Sequence, residues 1–320
     1  MQQVSVDGAL GPLVDGRWRE VRTLAIGTVA PGRTPGAVRC EDLSYLARLC
    51  DAERFIALAA GEVHRRGVET AGRVAFVVDG AAWEQAFSDA HCPGAVRILD
   101  FPHGAQRLSD AAEAVWETQE TGRAWAAAQR AELRDGAAET VLAAIRALPL
   151  AETRDPGAAD QVRQQVLGYL APRVDQMRDA AFRAQGLPIG SGIVESANTL
   201  VVKARLTGAG RRWAEEHLTP MLALRGALCS ERWDDAWTAI AAARRGRVRR
   251  TPPPALLPAA SAVSVAAPVR RTRQPPSPAL PRLGPKTIVN GRPTARHPWQ
   301  RFPAVSPAPA NLCRAPRHRR

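Results

Sequence analysis

Three acidic residues stand where folding could bring them to one point. Asp7 closes the short segment VSVD, Asp79 closes the apolar run VAFVVD, and Glu195 follows the Gly-Ser-Gly turn at 190–192. In open sheets, functional groups gather where side chains leave the strand ends and enter a crevice. Two acids on neighbouring strand ends and a third from the first turn of a helix make a carboxylate cluster. Alone, such a cluster is unfavourable, because like charges a few ångströms apart raise each other's pKa. A divalent cation relieves the repulsion. Mg2+ takes one or two carboxylates and fills its octahedron with water and substrate phosphate. Two such ions about 3.5–4 Å apart activate the attacking oxygen and stabilise the leaving one. The pattern admits phosphoryl transfer, with Asp7, Asp79 and Glu195 as the candidate catalytic and metal-holding residues, and does not by itself decide for it. The cofactor would be two Mg2+ ions, with Mn2+ as a substitute. The plainer reading is that an acid before glycine ends a strand as a turn residue or caps a helix.

The elements that must position these acids alternate between strand and helix. Residues 3–7 read as a short strand ended by Gly8. Residues 18–29 (WREVRTLAIGTV) form a second, joined through a loop with Gly11, Pro12, Asp15 and Gly16. A weak third strand is expected at 36–40. Leu43, Leu46, Leu49, Ile56, Leu58 and Val63 recur at roughly helical spacing, which predicts one helix over 42–66. Residues 73–79 read as a buried central strand, 81–91 as a short helix, and 95–100 as another buried strand ended by Asp100. Residues 105–183 are rich in Ala, Leu, Arg, Glu and Gln and read as several helices broken near Pro149 and at 155–157. A Gly-containing loop at 186–192 introduces a helix over 193–205, and further helices follow at 213–242. This is the order of an α/β protein, an open sheet with flanking helices.

The net charge of +13 is local. Of the 44 basic residues 17 lie in 241–320, with none of the 31 acidic ones, so residues 1–240 carry 27 basic against 31 acidic groups. From about residue 244 the chain is rich in Pro, Ala and Arg and cannot bury enough apolar surface to order itself; a disordered basic tail is expected. Such a tail would touch nucleic-acid phosphates without reading sequence. The 45% hydrophobic content suffices for a core. No window approaches the ~18–20 apolar residues of a membrane span, and no basic patch precedes an apolar stretch at the N-terminus. No membrane partner and a cytoplasmic, nucleoid-associated location are expected. The five cysteines are scattered, with no C-x-x-C pair, and read as reduced thiols rather than disulfides or zinc ligands.

Several blocks carry a resemblance. VSVDGA (4–9) with WREVRTLAIG (18–27), FVVDGAAW (76–83), ILDFPHGAQRL (98–108) and LPIGSGIVESANTLVVKARLTGAGRRW (187–213) are similar to the acid-bearing blocks of DDE transposases of bacterial insertion sequences. The match is to the Kra group, related to Mutator-like elements, and IVNGRPTARHPWQRF (288–302) resembles its C-terminal signature. The resemblance covers residues 1 to about 240 plus this late block. It implies an RNase H-like core, a mixed open sheet with flanking helices, and an all-helical insertion between the second Asp and the Glu. The core would be begun by 1–104 and completed by 186–243, with 105–185 as the insertion and 244–320 as the tail. The 72 residues from Asp7 to Asp79 and the 116 from Asp79 to Glu195 leave room for it. The implied reaction is hydrolysis of a phosphodiester at a transposon end, after which the freed 3′-hydroxyl attacks target DNA. The implied partners are double-stranded DNA, both ends and target, and further copies of the chain.

Supporting residues follow. In related transposases a D-x-x-H pair, here Asp100 and His103, lies near the active site. Trp83, four residues past Asp79, either supports the site, stacks on a DNA end, or packs in the core. Lys203 and Arg205 share the predicted helix with Glu195; ~100° per residue places Lys203 about 80° around from it, within reach of a phosphate. Arg211 and Arg212 are further DNA-contact candidates, the alternative for all four being a solvated basic face. Members of the family carry a sizeable region ahead of the first Asp, and here six residues precede Asp7. The expectation is a catalytic region without end recognition, or else an inactive remnant that only binds DNA or a partner transposase.

Overall fold

The structure, a computed structural model, describes residues 1–34, 36–116, 119–250, 288–289 and 292–293. Strands β1 (Gln2–Pro12), β2 (Trp18–Pro31) and β3 (Val38–Arg48) form an antiparallel meander. β4 (Val74–Val78) and β5 (Val96–Leu99) continue the sheet parallel to β1, giving the order β3-β2-β1-β4-β5. The protein is thus α/β, with a five-stranded mixed open sheet and flanking helices.

Strand alternation sends successive side chains to opposite faces. One face carries Val4, Val6, Leu24, Ile26, Val74, Phe76 and Val78. These pack against Phe55, Ala59 and Val63 of α1 (Ala52–Arg65) and Phe87 of α2 (Ala82–His91). The other face carries Ala9, Val21, Ala25, Tyr45 and Ala47. These meet Ile193, Val194 and Ala197 of α8 (Gly192–Ala197), and Leu218 and Leu222 of α10 (Glu215–Cys229). On the same side Ala75, Val77 and Ile98 lie under Phe182 and Leu187. Both faces are covered, which is why β4 is apolar at every position.

In chain order, α3 (Phe101–Val115), α4 (Gln119–Arg134), α5 (Ala138–Arg146), α6 (Pro156–Leu170) and α7 (Asp179–Ala184) come between β5 and α8. α3 to α6 share a core of their own around Leu108, Leu133, Ile145 and Leu170, which reaches the sheet through Leu99. α8 continues through a π-helical turn, Asn198–Lys203, into α9 (Ala204–Leu206). α11 (Trp233–Arg250) follows α10. Among the described residues no helix is long and apolar enough to cross a membrane.

Met1–Arg245 form one compact unit. Of the second, Gly246–Arg320, the described part beyond α11 is a short antiparallel pairing of Ile288–Val289 with Arg292–Pro293. The expected disorder of the tail and most of the block at 288–302 lie outside the described residues. α11 itself runs past residue 244, because its Ala- and Arg-rich end has high helix propensity.

Two local expectations are corrected. The strand expected at 36–40 runs on to Arg48, through residues assigned to a helix over 42–66. Asp42 has φ of 48° and the β2–β3 register shifts there, so Leu43 and Leu46 belong to a bulged strand. α1 starts only after Asp51, whose side chain accepts from the Arg54 amide at 2.8 Å. Gly8 likewise does not end β1. Its missing side chain leaves room for Glu20 of the neighbouring strand, which a Cβ would overlap.

Candidate metal centre

Asp7 and Asp79 meet. Asp7 lies on the α8 face of β1, between Ser5 and Ala9. Asp79 directly follows β4 on the same side as Val77. The third carboxylate beside them is that of Glu84, from the first turn of α2. Asp7, Asp79 and Glu84 each present an oxygen, and the three lie within 4.8 Å of one another. This is the one such group among the described residues that offers three or more metal-ligating side chains.

Each acid is held. The Gly8 amide donates to Asp7 Oδ1 at 2.6 Å and Asn198 Nδ2 donates to Asp7 Oδ2 at 2.6 Å. Thr23, opposite Asp7 on β2, donates from Oγ1 to Asn198 Oδ1 at 2.7 Å, which fixes the amide with its nitrogen towards Asp7. Asp79 Oδ1 accepts the Ala81 amide at 2.9 Å. Glu84 Oε2 accepts from both Gly80 and Ala81 amides, at 2.9 and 3.0 Å, closing the start of α2.

The electrostatics are those of crowded acids. Burial, and then the charge of Asp79, push the Asp7 carboxyl up, against the Gly8 and Asn198 hydrogen bonds and the charge of His103. Glu84 is pushed up to about 10 by burial, by its hydrogen bond with Asp79 and by that neighbour's charge. A Glu84 carboxyl raised that far keeps its proton at neutral pH, which lowers the charge crowded beside Asp79. The donor set is all carboxyl oxygen, anionic once Glu84 gives up its proton, which suits a hard divalent ion.

The turn carrying Asp79 is held from outside. Tyr169 on α6 donates its hydroxyl to the Asp79 carbonyl, and Arg173 Nη2 donates to the Gly80 carbonyl at 2.5 Å. Arg107 and Arg173 each lie 4.7 Å from the Tyr169 ring centroid. Gly80 has φ of +90°, and a Cβ there would overlap the Arg173 side chain, so the position requires glycine.

Asp100 and His103 form a real pair at the edge of the cluster. Asp100, fully buried, caps α3. Its Oδ2 accepts His103 Nδ1 at 2.6 Å, and its Oδ1 accepts the Ser191 amide at 2.5 Å. Burial raises the Asp100 pKa, but the hydrogen bonds from His103 and Ser191 outweigh it and hold the carboxyl below its usual range. His103 is pushed up, first by that hydrogen bond and also by the charges of Asp79 and Asp7. Asp100 thus ties the end of β5 to the Gly-Ser-Gly loop that launches α8. Gln3 Nε2, donating to the Gly190 carbonyl at 2.9 Å, ties the same loop to β1.

Glu195 stands apart. It is exposed on α8, one turn before Asn198, and its carboxylate is not in the three-oxygen group. The place expected for it is filled by Glu84. Lys203, Arg205, Arg211 and Arg212 are exposed as well. The π turn replaces the regular α spacing from which Lys203 was placed about 80° from Glu195. Arg205 lies 5.9 Å from the Trp213 ring centroid, and Arg211 donates to the Arg205 carbonyl at 3.3 Å. Trp83 is half-buried, edge-on to Phe55 at 6.0 Å between centroids and 4.9 Å from the Arg22 guanidinium, so it packs in the core and presents a face at the rim. Compared with known proteins, the chain matches no family model and none of the curated proteins.

Proposed function

We propose that this chain contains a metal-dependent, DNA-cutting and strand-joining core of the DDE transposase type. The observation that carries the reading is the meeting of Asp7 and Asp79, 72 residues apart in sequence, on one face of the sheet, Asp7 within β1 and Asp79 just past the end of the adjacent parallel strand β4. The mixed sheet, and a helix bearing Glu195 packed across β1 and β2, support an RNase H-like core with residues 105–185 as its helical insertion. Asp7, Asp79 and a third carboxylate would hold Mg2+ or Mn2+. Bound there, the ions supply charge for a phosphodiester's oxygens and an activated oxygen nucleophile. The chain's own part is to orient. Asn198 and Gly8 aim Asp7, Ala81 aims Asp79, and His103, its proton affinity raised by Asp100, stands beside the carboxylates. The substrate would be duplex DNA, as transposon end and target, engaged by more than one copy of the chain.

A second version concerns the third ligand. Glu84 already stands in the cluster, whereas Glu195 joins it only by moving. In the Glu84 version the metal would take the place of the proton on Glu84. In the Glu195 version Glu84 stays protonated as the cap of α2.

The test is strand cleavage of an end-labelled duplex in Mn2+, comparing the chain with Asp79→Asn, Glu84→Gln and Glu195→Gln. Cutting that disappears in Asp79→Asn supports the core reading, and whichever glutamine variant also loses it names the third ligand. Cutting unchanged in Asp79→Asn removes the function proposed.

A further inference from the structure

One strand over from Asp7, two arginines face each other. Arg22 on β2 and Arg48 on β3 are direct cross-strand partners, so their side chains leave the same face, that of Leu24, Leu46 and α1. Like charges directly opposite in an antiparallel pair are destabilising. The pair stands level with Asp7 along the sheet, because Arg22 is the partner of Gly8, but on the opposite face from Asp7, the face that Trp83 and α2 share.

The two arginines are unequally satisfied. Arg22 is 13% exposed, lies 4.9 Å from the Trp83 ring centroid, and donates from Nη1 to Glu20 Oε2 at 2.5 Å. Its Nε is buried without a hydrogen-bond partner. Arg48 donates from Nη1 to its neighbour's carbonyl, that of Ala47, at 2.7 Å, and among the described residues no carboxylate is within ion-pair distance of it. Arg54 joins them: the charges of Arg22, Arg54 and Arg48 all act on the Cys50 thiol, which places three cations about the corner between β3 and α1. The carboxylate that occupies Arg22 is half-exposed and lies across Gly8, where only the lack of a Cβ makes room for it.

We infer that Arg22 and Arg48 form a binding site for a backbone phosphate of the substrate strand, with the Trp83 face beneath it, and that Glu20 fills this site until the phosphate displaces it. The inference rests on the nucleic-acid reading of the metal centre. Its chemistry is that of guanidinium forks, whose paired donors match phosphate oxygens. Exchange of Glu20 for a phosphate frees an exposed carboxylate to water, and each phosphate neutralised releases counterions.

Binding of a short blunt duplex to the full-length chain carrying Asp79→Asn, without divalent ions, tests this apart from cleavage. Fluorescence anisotropy across a salt series is the readout. Added to that parent, Arg22→Ala and Arg48→Ala are expected to weaken binding about 5- to 10-fold each and to lower the salt slope by about one. Glu20→Gln is expected to tighten binding several-fold. Arg146→Ala and Glu139→Gln, matched charge changes at exposed positions on α5, should move affinity less than about twofold. Arg48→Gln keeps most of the side-chain stem and decides the matter if the alanine variant does not fold. Arginine variants that bind as Arg146→Ala does, or a Glu20→Gln variant that binds more weakly, overturn the phosphate site alone. A parent that binds no duplex at any salt overturns the nucleic-acid reading and this site with it.

Discussion

The turn after β4 and the helix after the Gly-Ser-Gly loop both bring an acid to the metal-centre end of the sheet, and they are built in opposite ways. In the turn, Asp79 and Glu84 are tied by amides of their own loop, and the loop's carbonyls are gripped by Tyr169 and Arg173. In the helix, Glu195 is exposed, and a π turn begins three residues later, where Asn198 rather than an acid reaches Asp7. The first region has its carboxylates in place before any ion arrives. The second has its scaffold in place and its acid outside. Pre-organisation at this centre therefore comes from side chains that double as caps, and π turns of the second kind are common where a helix serves a functional site.

The sharpest break of that contrast is at the glycines. Gly80→Ala forces a left-handed backbone on alanine and collides with Arg173, so a loss on the order of 3 kcal/mol is expected in denaturant unfolding. Gly192→Ala, at the start of α8, meets open space and is expected to stay within about 0.5 kcal/mol of the parent. Equal losses at the two sites would mean that the turn is no more constrained than the helix.

Next in size is the response to Mn2+. An ion at about a hundred times its Kd stabilises the folded state by about 2.7 kcal/mol. If Glu84 is the third ligand, Glu84→Gln abolishes the rise in thermal midpoint and Glu195→Gln preserves it. Glutamine reproduces the protonated Glu84, accepting from Gly80 and Ala81 while donating to Asp79. The metal-free Glu84→Gln protein should therefore be at least as stable as the parent near neutral pH. The reverse pattern of midpoints transfers the ligand role to Glu195.

Asn198→Ala removes the donor to Asp7 and the shorter of the two acceptors of Thr23 Oγ1, leaving it the Asp7 carbonyl at 3.1 Å. A loss of about 1–2 kcal/mol follows, and a higher Mn2+ concentration is expected for half-maximal stabilisation, which a plain packing defect would not produce.

The smallest effect is a pH-dependent one. His103 is raised above its unfolded value near 6.5, so its contribution is complete below that pH and lost as pH rises through the raised value. Asp100 is lowered from 3.8, so its contribution is present above that and lost as pH falls through the lowered value. The pair is complete between about pH 4 and 6.5. Because the imidazole is 46% exposed, His103→Gln is expected to lose only about 1 kcal/mol near pH 5.5 and less near pH 9. A deficit that grows with pH would contradict the ion pair.

Much of this architecture can be read along the chain. The all-apolar run at 74–78 announces a central strand, and the acids at its end and at position 7 stand out by type and place. The tie from Asp100 to His103 follows from a cap and a side chain one helical turn apart. Other features leave no local trace. Glu84 carries a signal, an acid three residues into a helix, but that is also the signature of an ordinary cap, and only the fold sets it against Asp79. Thr23 and Asn198 meet across 175 residues, and Tyr169 reaches the Asp79 carbonyl across 90. The helix expected over 42–66 fails because Leu43 and Leu46 fit two periodicities, and the left-handed Asp42 decides between them.

The grip of α6 and the 3-10 turn that follows it (Ala171–Gln176) on the β4–α2 turn has a further consequence. One phenol and one guanidinium span from the helical block to two successive peptide carbonyls, so the block and the acid-bearing loop are tied at two adjacent points. Protection of the Gly80 and Ala81 amides from hydrogen exchange should therefore fall whenever α6 lifts, and the centre will loosen from a side of the molecule that touches none of its carboxylates.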